Sequence, residues 1–245
     1  MLYYLMLCHA KLEMIERSLE NFRRTRGQMG RLVMVDQFYP LPDKKENSKK
    51  LKALAEEYNA IYLDHGFNMS IGCRAGLKYA LKKAQVEDGD TWIIYDPDSR
   101  PVTYFWDHAL ASVCSPEYPI VSIVTEAIET ELYIKGFEEK TINGYRVAVP
   151  GSPCVMSVAA FDYTTIEALG GYQDFGKLYG GLEAVLAPKV LGAGKKVAYL
   201  RDFHCIWWPK PLYLVDTVYT AWKQAHALTR KFPGSFEEFI AQEKR

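Results

Sequence analysis

Few features of this 245-residue sequence would mark a secreted or membrane-spanning protein. Its five cysteines are odd in number and widely scattered, and no two form a C-x-x-C pair of the kind that binds zinc or exchanges disulfides. The longest uncharged stretch, Val147 to Phe161, contains Pro150 and Pro153, which a membrane helix of about 20 residues would hardly carry. We therefore expect a cytoplasmic protein without a membrane anchor.

An excess of charge of one sign is also missing. Thirty basic residues balance thirty acidic ones, so the formal net charge at pH 7 is zero. No global field then attracts a polyanion, although a local basic groove stays open. Three basic clusters could each track phosphates or simply form a solvated face, and they are Arg23–Arg26, Lys44–Lys52 and Lys195–Lys196.

Apolar runs of strand length alternate with amphipathic helical stretches through the first half of the chain. Leu2 to Leu7 is the first such run, and Leu12, Ile15, Leu19 and Phe22 then follow at the spacing of one helix face. This alternation predicts an α/β domain with a mostly parallel central sheet flanked by helices. No internal repeat or convincing linker divides the chain.

The remaining segments continue the same pattern and then change it. Further strands are predicted at Leu32–Val35, Ala60–Leu63, Thr91–Tyr95, Ile120–Val124, Cys154–Phe161 and, as a last edge strand, Lys196–Leu200. Further helices are predicted around Leu51–Tyr58, Cys73–Ala84, Thr103–Cys114 and Leu182–Leu191. Shorter β-like pieces around Tyr133, Ile142 and Val147, with Asn143–Gly144 as a turn, indicate an inserted β-hairpin. Two helices are expected in the tail.

The segment Asp96-Pro97-Asp98 carries the clearest chemical signal. It follows a predicted strand, and Pro97 and Pro101 prevent the sheet from continuing, so two carboxylates project from a rigid turn. Hard cations such as Mg²⁺ and Mn²⁺ prefer oxygen ligands, and a diphosphate can supply the rest of their coordination shell. The alternative is an ordinary turn, since Asp and Pro are common turn residues.

Six short segments occur in the same order as landmark motifs of family 2-like GT-A glycosyltransferases. They are Leu2–Cys8, Val33–Asp36, His65–Phe67 with Cys73–Ala75, Tyr95–Asp98, Leu169–Tyr172 and Gly180–Glu183. The chain resembles this family over roughly residues 1–205. The resemblance implies a GT-A fold, a Rossmann-like nucleotide-sugar-binding architecture. It divides the chain into a donor part (1–124), an acceptor part (125–205) and a C-terminal helical extension (206–245) packed on the same domain.

The resemblance also implies roles for individual donor-side residues. Cys8 and His9 would cradle the nucleotide base, and Asp36 would contact it. Gly66 would lie at the donor, Arg74 near its phosphates and Asp96 near its ribose, while Asp98 would bind the metal directly.

The catalytic and acceptor-side residues follow from the same resemblance. Glu183 falls on the catalytic general base, and His204 on a histidine that completes metal coordination in several members. Gly170 and Gly171 would border the acceptor, and Trp207 could stack on it. The family usually has Glu-Asp where this chain has Leu182-Glu183, and Ala75 replaces a usual Asn, so the chain is a divergent member.

The function implied is an Mn²⁺- or Mg²⁺-dependent transfer of sugar from a nucleotide-sugar donor, expected to be a UDP-sugar, to a hydroxyl acceptor with inversion. One alternative acceptor is a hydroxymethylated base in DNA, as in phage-type DNA-modifying glycosyltransferases. A nucleotidyltransferase is a second alternative, although the segment Cys8–Lys11 lacks the glycine of its usual phosphate loop. A catalytically inactive nucleotide-sugar-binding module is a third.

Overall fold

The first strand, β1 (Leu2–Cys8), is buried along its whole length. This continuous burial explains its unbroken apolar sequence, since a strand covered on both faces does not alternate apolar and polar residues.

A computed structural model describes residues 1–8, 12–36, 44–64, 80–152, 154, 156, 158–170 and 182–207, without the side chains of 44, 182–185 and 207.

Ten strands form one mixed sheet around β1, in the order β3-β2-β1-β4-β9-β6-β10-β8-β7, with β5 paired to β10. After β1 they are β2 (Arg31–Asp36), β3 (Ile61–Asp64), β4 (Thr91–Ile94), β5 (Ser99–Pro101), β6 (Ile120–Val124), β7 (Phe137–Ile142), β8 (Tyr145–Pro150), β9 (Ala159–Asp162) and β10 (Val197–Trp207). Strands β1 to β4 pair in parallel, and β6 pairs in parallel with β10. The antiparallel pairs involve β5, β9 and the hairpin β7–β8.

Helices cover both faces of this sheet. They are α1 (Leu12–Thr25), α2 (Lys44–Glu57), α3 (Trp106–Val113), α4 (Glu126–Lys135), α5 (Tyr163–Ala168) and α6 (Leu182–Gly192), and residues 80–84 are also helical. Alternate residues of β1 enter two separate cores: Tyr4 and Met6 pack in the core that contains α1 and α3, and Tyr3 and Leu5 pack in the other. The predicted α/β class is thus confirmed.

Two local predictions have clear outcomes. The hairpin turn is confirmed, because Asn143 and Gly144 have φ values of 50° and 87° between β7 and β8, as a type I′ turn requires. The β-like assignment at Tyr133 is wrong, because this residue lies in α4. That helix begins at the N-cap Thr125, whose side chain accepts a hydrogen bond from the N–H of Ile128.

The strand predicted at Lys196–Leu200 is confirmed from Val197 onward, but its predicted place at an edge of the sheet is wrong. Strand β10 begins at Val197 and continues to Trp207, two residues past the predicted domain boundary, and it lies between β6 and β8. The hairpin covers what would otherwise be the open edge.

The predicted tail helices lie outside the described residues. Within the described ranges, no helix is long and apolar enough to cross a membrane.

Candidate functional site

The carboxyl ends of β3, β2, β1 and β4 meet along one edge of the sheet. Cys8 is the register partner of Asp36, and Asp36 is the partner of Asp64 on β3. On the other side of β1, β4 ends at Ile94 and leads into Asp96. The chain runs outward from β1 through β2 to β3 in one direction and returns at β4 on the other side. A reversal of this kind creates the crevice in which open α/β sheets bind ligands.

Asp36 is a buried carboxylate in this row, with 1% of its surface exposed. The hydroxyl of Tyr62, on β3, donates a hydrogen bond of 2.7 Å to its Oδ2. The neighbouring thiol of Cys8 is fully buried and donates to the carbonyl of Met6. Burial raises the pKa of this thiol, and the charge of Asp36 raises it further. Cys8 is therefore a neutral packing residue beside the carboxylate.

The Asp96-Pro97-Asp98 segment forms a hydrogen-bonded turn. The N–H of Ser99 donates to the carbonyl of Asp96 at 2.9 Å, which closes a four-residue turn with Pro97 in its second position. Before the turn, the N–H of Tyr95 donates to the carbonyl of Leu5 at 2.9 Å. After it, β5 pairs with the end of β10. The turn is therefore anchored at both ends.

Asp98 is half-buried in this turn. The hydroxyl of Ser99 donates a long hydrogen bond of 3.4 Å to its Oδ1. Burial raises the pKa of Asp98, because removing a carboxylate from water disfavours its charged form. A bound cation would offset that cost.

His204 does not lie beside Asp98. The β5–β10 ladder pairs Trp207 with Ser99 and Cys205 with Pro101, and the carbonyl of His204 accepts from the N–H of Val102. His204 therefore stands opposite a position three residues beyond Ser99, where the turn ends, and an extended chain rises about 3.3 Å per residue, so roughly 10 Å of strand separates it from the end of the turn. His204 is exposed, and its backbone N–H donates to the Oγ1 of Thr103 at 3.1 Å.

The other predicted site residues are placed only in part. Gly170 has a φ of 65°, and its carbonyl accepts a 2.9 Å hydrogen bond from the Nζ of Lys189 on α6. Glu183 is the second residue of α6 and Trp207 the last of β10, but the described atoms of both are limited to the backbone. The residues His9, Gly66, Arg74 and Gly171 lie outside the described residues.

A divalent cation fits the donor set of the turn. Asp96 and Asp98 offer the carboxylate oxygens that Mg²⁺ and Mn²⁺ prefer. Among the described residues, no group of three or more His, Cys, Asp or Glu side chains could hold a metal by itself. A cation at this turn would need further oxygen ligands, which a diphosphate and water can supply.

Two residues of this region were not predicted from sequence. Tyr62 reaches Asp36 from the adjacent strand, and the hydroxyl of Ser18, on α1, donates to the carbonyl of Pro97. Ser18 and Pro97 are 79 residues apart in the chain. No spacing or motif signals such a pair.

Solved structures of two enzymes are similar to the whole described architecture. GalNAc-T7, solved with UDP, GalNAc and Mn²⁺, matches with a TM-score of 0.64 and 11% sequence identity. The match covers 98% of this chain and 56% of the GalNAc-T7 chain. A mannosyltransferase, PcManGT from Pyrobaculum calidifontis, solved with GDP-Man and Mn²⁺, matches with a TM-score of 0.57 and 16% identity, covering 99% of this chain and 68% of its own. The chain has the GT-A fold.

The chain spans 56% of the GalNAc-T7 chain and 68% of the PcManGT chain. No protein-family model and no curated sequence matches it. At such low identity the two structures establish the fold, which agrees with a divergent GT-A sequence.

Proposed function

We propose that the chain is a metal-dependent glycosyltransferase that moves a sugar from a nucleoside diphosphate sugar to a hydroxyl group. The observation that carries this proposal is the anchored Asp96–Asp98 turn beside the switch point of a GT-A sheet. Ligands of open α/β sheets bind at this place. The two similar structures hold UDP or GDP-Man together with Mn²⁺. A UDP-sugar is our expected donor.

In this proposal each strand end has a separate task. Asp36, buried and oriented by Tyr62, accepts a hydrogen bond from the nucleotide base, and Asp96 lies at the ribose. Asp98 and the donor diphosphate hold Mn²⁺ or Mg²⁺. When bound, the cation supplies positive charge that neutralises the departing diphosphate. His204 has no part in this cation site, because the β5–β10 register carries it away from Asp98.

Glu183 remains our candidate for the general base. Its task would be to take the proton from the acceptor hydroxyl as that oxygen attacks the anomeric carbon. A single displacement of this kind inverts the anomeric centre. Gly170, Gly171 and Trp207 remain the predicted acceptor-side residues.

Two of the three basic clusters lie away from the Asp turn, and only Lys44–Lys52, at the start of the helix that follows β2, begins on the carboxyl-end side of the sheet. Helix α1 joins the carboxyl end of β1 to the amino end of the parallel β2, so Arg23–Arg26 lie toward the edge opposite the Asp turn. Lys195 and Lys196 precede β10 at that same opposite edge, and Lys196 forms an ion pair of 3.0 Å with Glu117. We therefore leave the acceptor as a hydroxyl compound.

A donor screen tests the proposal. Binding and hydrolysis of UDP- and GDP-sugars are measured with Mn²⁺ and with EDTA, in the wild type, in Asp98→Ala and in Asp88→Ala. Asp88 is the matched control, because it is an exposed turn aspartate that precedes β4, whereas Asp98 follows it. We expect Mn²⁺-dependent turnover that falls at least about 100-fold in Asp98→Ala, since a bound metal supplies several kcal/mol of charge stabilisation.

Each other outcome has a distinct meaning. The proposal fails if no donor is bound or hydrolysed, or if Asp98→Ala behaves as Asp88→Ala does. Donor binding without turnover would indicate an inactive nucleotide-sugar-binding module. Release of pyrophosphate from a nucleoside triphosphate would indicate a nucleotidyltransferase.

A further inference from the structure

Ser18 links helix α1 to the Asp96–Asp98 turn. It is fully buried in α1, and its hydroxyl donates a hydrogen bond to the carbonyl of Pro97. A second contact holds Ser18 itself, because the buried hydroxyl of Tyr95 donates to the Ser18 carbonyl at 3.1 Å. Ser18 and Tyr95 thus connect the helix to the chain on both sides of Asp96.

The peptide that Ser18 contacts is the one that orients Asp98. The proline ring fixes φ of Pro97 near −65°, so ψ of Pro97 and φ of Asp98 are the free dihedrals at the centre of the turn. Type I and type II turns differ mainly by a flip of this central peptide, and the flipped form needs a positive φ at the third residue. Asp98 is not among the described residues with positive φ. A hydrogen bond to the Pro97 carbonyl favours the observed orientation.

We propose that Ser18 is a positioning residue for cation binding by Asp98, an inference that rests on the proposed function. By holding the Pro97 carbonyl, the Ser18 hydroxyl fixes the peptide that precedes Asp98. The point and direction at which the Asp98 side chain leaves the backbone are fixed with it. Pro97 is itself buried, so its carbonyl has little water to replace the lost partner when Ser18 is changed.

The test separates metal binding from folding. Ser18→Ala is compared with Ser122→Ala, which removes the hydroxyl of another fully buried serine that donates at 3.0 Å to the carbonyl of Ile123 on β6. Thermal unfolding, Mn²⁺ affinity in the presence of UDP by electron paramagnetic resonance, and UDP affinity in EDTA are measured for each. Ser18→Thr restores the hydroxyl, and Ser18→Cys replaces it with a weak donor of similar size should the alanine variant not fold.

We expect Ser18→Ala to weaken Mn²⁺ affinity about 5- to 10-fold, the effect of losing one buried hydrogen bond. UDP affinity in EDTA should stay unchanged, and the melting temperature should fall about as far as in Ser122→Ala. Equal Mn²⁺ affinity in the two alanine variants, or equal loss of UDP affinity with and without metal, would overturn the inference while leaving the proposed function intact. A wild-type protein that binds neither UDP nor Mn²⁺ would overturn both.

Discussion

The hydroxyl of Tyr62 donates a 2.7 Å hydrogen bond to the carboxylate of Asp36, and this contact joins two adjacent parallel strands. A buried carboxylate is costly unless its oxygens accept hydrogen bonds. Tyr62 provides one from a side chain that is itself half-buried. Burial and the charge of Asp36 both raise the pKa of Tyr62, so its hydroxyl stays protonated and available as a donor.

The first prediction concerns this contact. Tyr62→Phe should lower the free energy of unfolding by about 1.5–3 kcal/mol, the range for a hydrogen bond to a charged group. It should also weaken UDP binding several-fold, because Asp36 loses its fixed orientation. Tyr58→Phe is the matched control, since Tyr58 is also half-buried and contacts Arg23 through its ring. Urea unfolding and nucleotide titration measure both effects, and equal behaviour of the two variants would contradict the prediction.

The second prediction concerns the thiol of Cys8. Burial and the charge of Asp36 raise the pKa of this thiol, so iodoacetamide at pH 8 should modify Cys8 far more slowly in the native than in the unfolded protein. Mass spectrometry of the Cys8 peptide measures the two rates. Similar rates would show that the end of β1 is open to solvent.

The same raised pKa predicts how stability depends on pH. A thiol in the unfolded chain ionises near pH 8.5, whereas the folded Cys8 thiol stays neutral to higher pH. Its contribution to stability is therefore complete below about pH 8.5 and is lost as the pH rises toward the folded pKa. Cys8→Ala should lose less stability than the wild type between pH 7 and pH 10. Equal losses in urea unfolding would contradict this.

The sequence was sufficient for features that depend on local pattern. The apolar run at β1, the stripe from Leu12 to Phe22 and the Asn143–Gly144 turn all formed as predicted, because each is set by side chains near one another in the chain. Helix α4 was missed at Tyr133 because only Ile128 and Leu132 of this helix are buried, and one buried pair gives too little helical periodicity.

Features that depend on register and packing could not be predicted in the same way. The meeting of Asp36 and Asp96 at one edge is an exception, because it requires only that both residues lie at the carboxyl ends of parallel strands. The position of His204 depends on how β10 pairs with β5, and that ladder is fixed by backbone hydrogen bonds rather than by residue type. The contact between Ser18 and Pro97 depends on how α1 packs on the sheet.

The third prediction concerns the fully buried carboxylate of Asp107. It accepts hydrogen bonds from the hydroxyl of Tyr4 at 2.6 Å and from the N–H groups of Gly27 at 2.7 Å, Gln28 at 2.8 Å and His108 at 2.9 Å. Asp107→Ala should cost about 3–5 kcal/mol, because several buried donors lose their partner together. Tyr4→Phe removes one donor and should cost about 1.5–3 kcal/mol. Denaturant unfolding measures both, and an equal cost would contradict a shared network.

The fourth prediction concerns the turn of the inserted hairpin. Gly144 has a φ of 87° with open space around its Cα, so Gly144→Ala meets no steric contact but must adopt a left-handed backbone, at a cost of about 1–2 kcal/mol. Gly192 also has open space but no positive φ, and as the last residue of α6 its change to alanine should be neutral or stabilising by up to about 1 kcal/mol. Thermal unfolding of the two variants therefore isolates backbone conformation from packing. Equal melting temperatures would show that the turn can change its type. We do not expect such a change, because the side-chain amide of Asn143 donates a 2.6 Å hydrogen bond to the carbonyl of Ser112 and so holds the turn against α3.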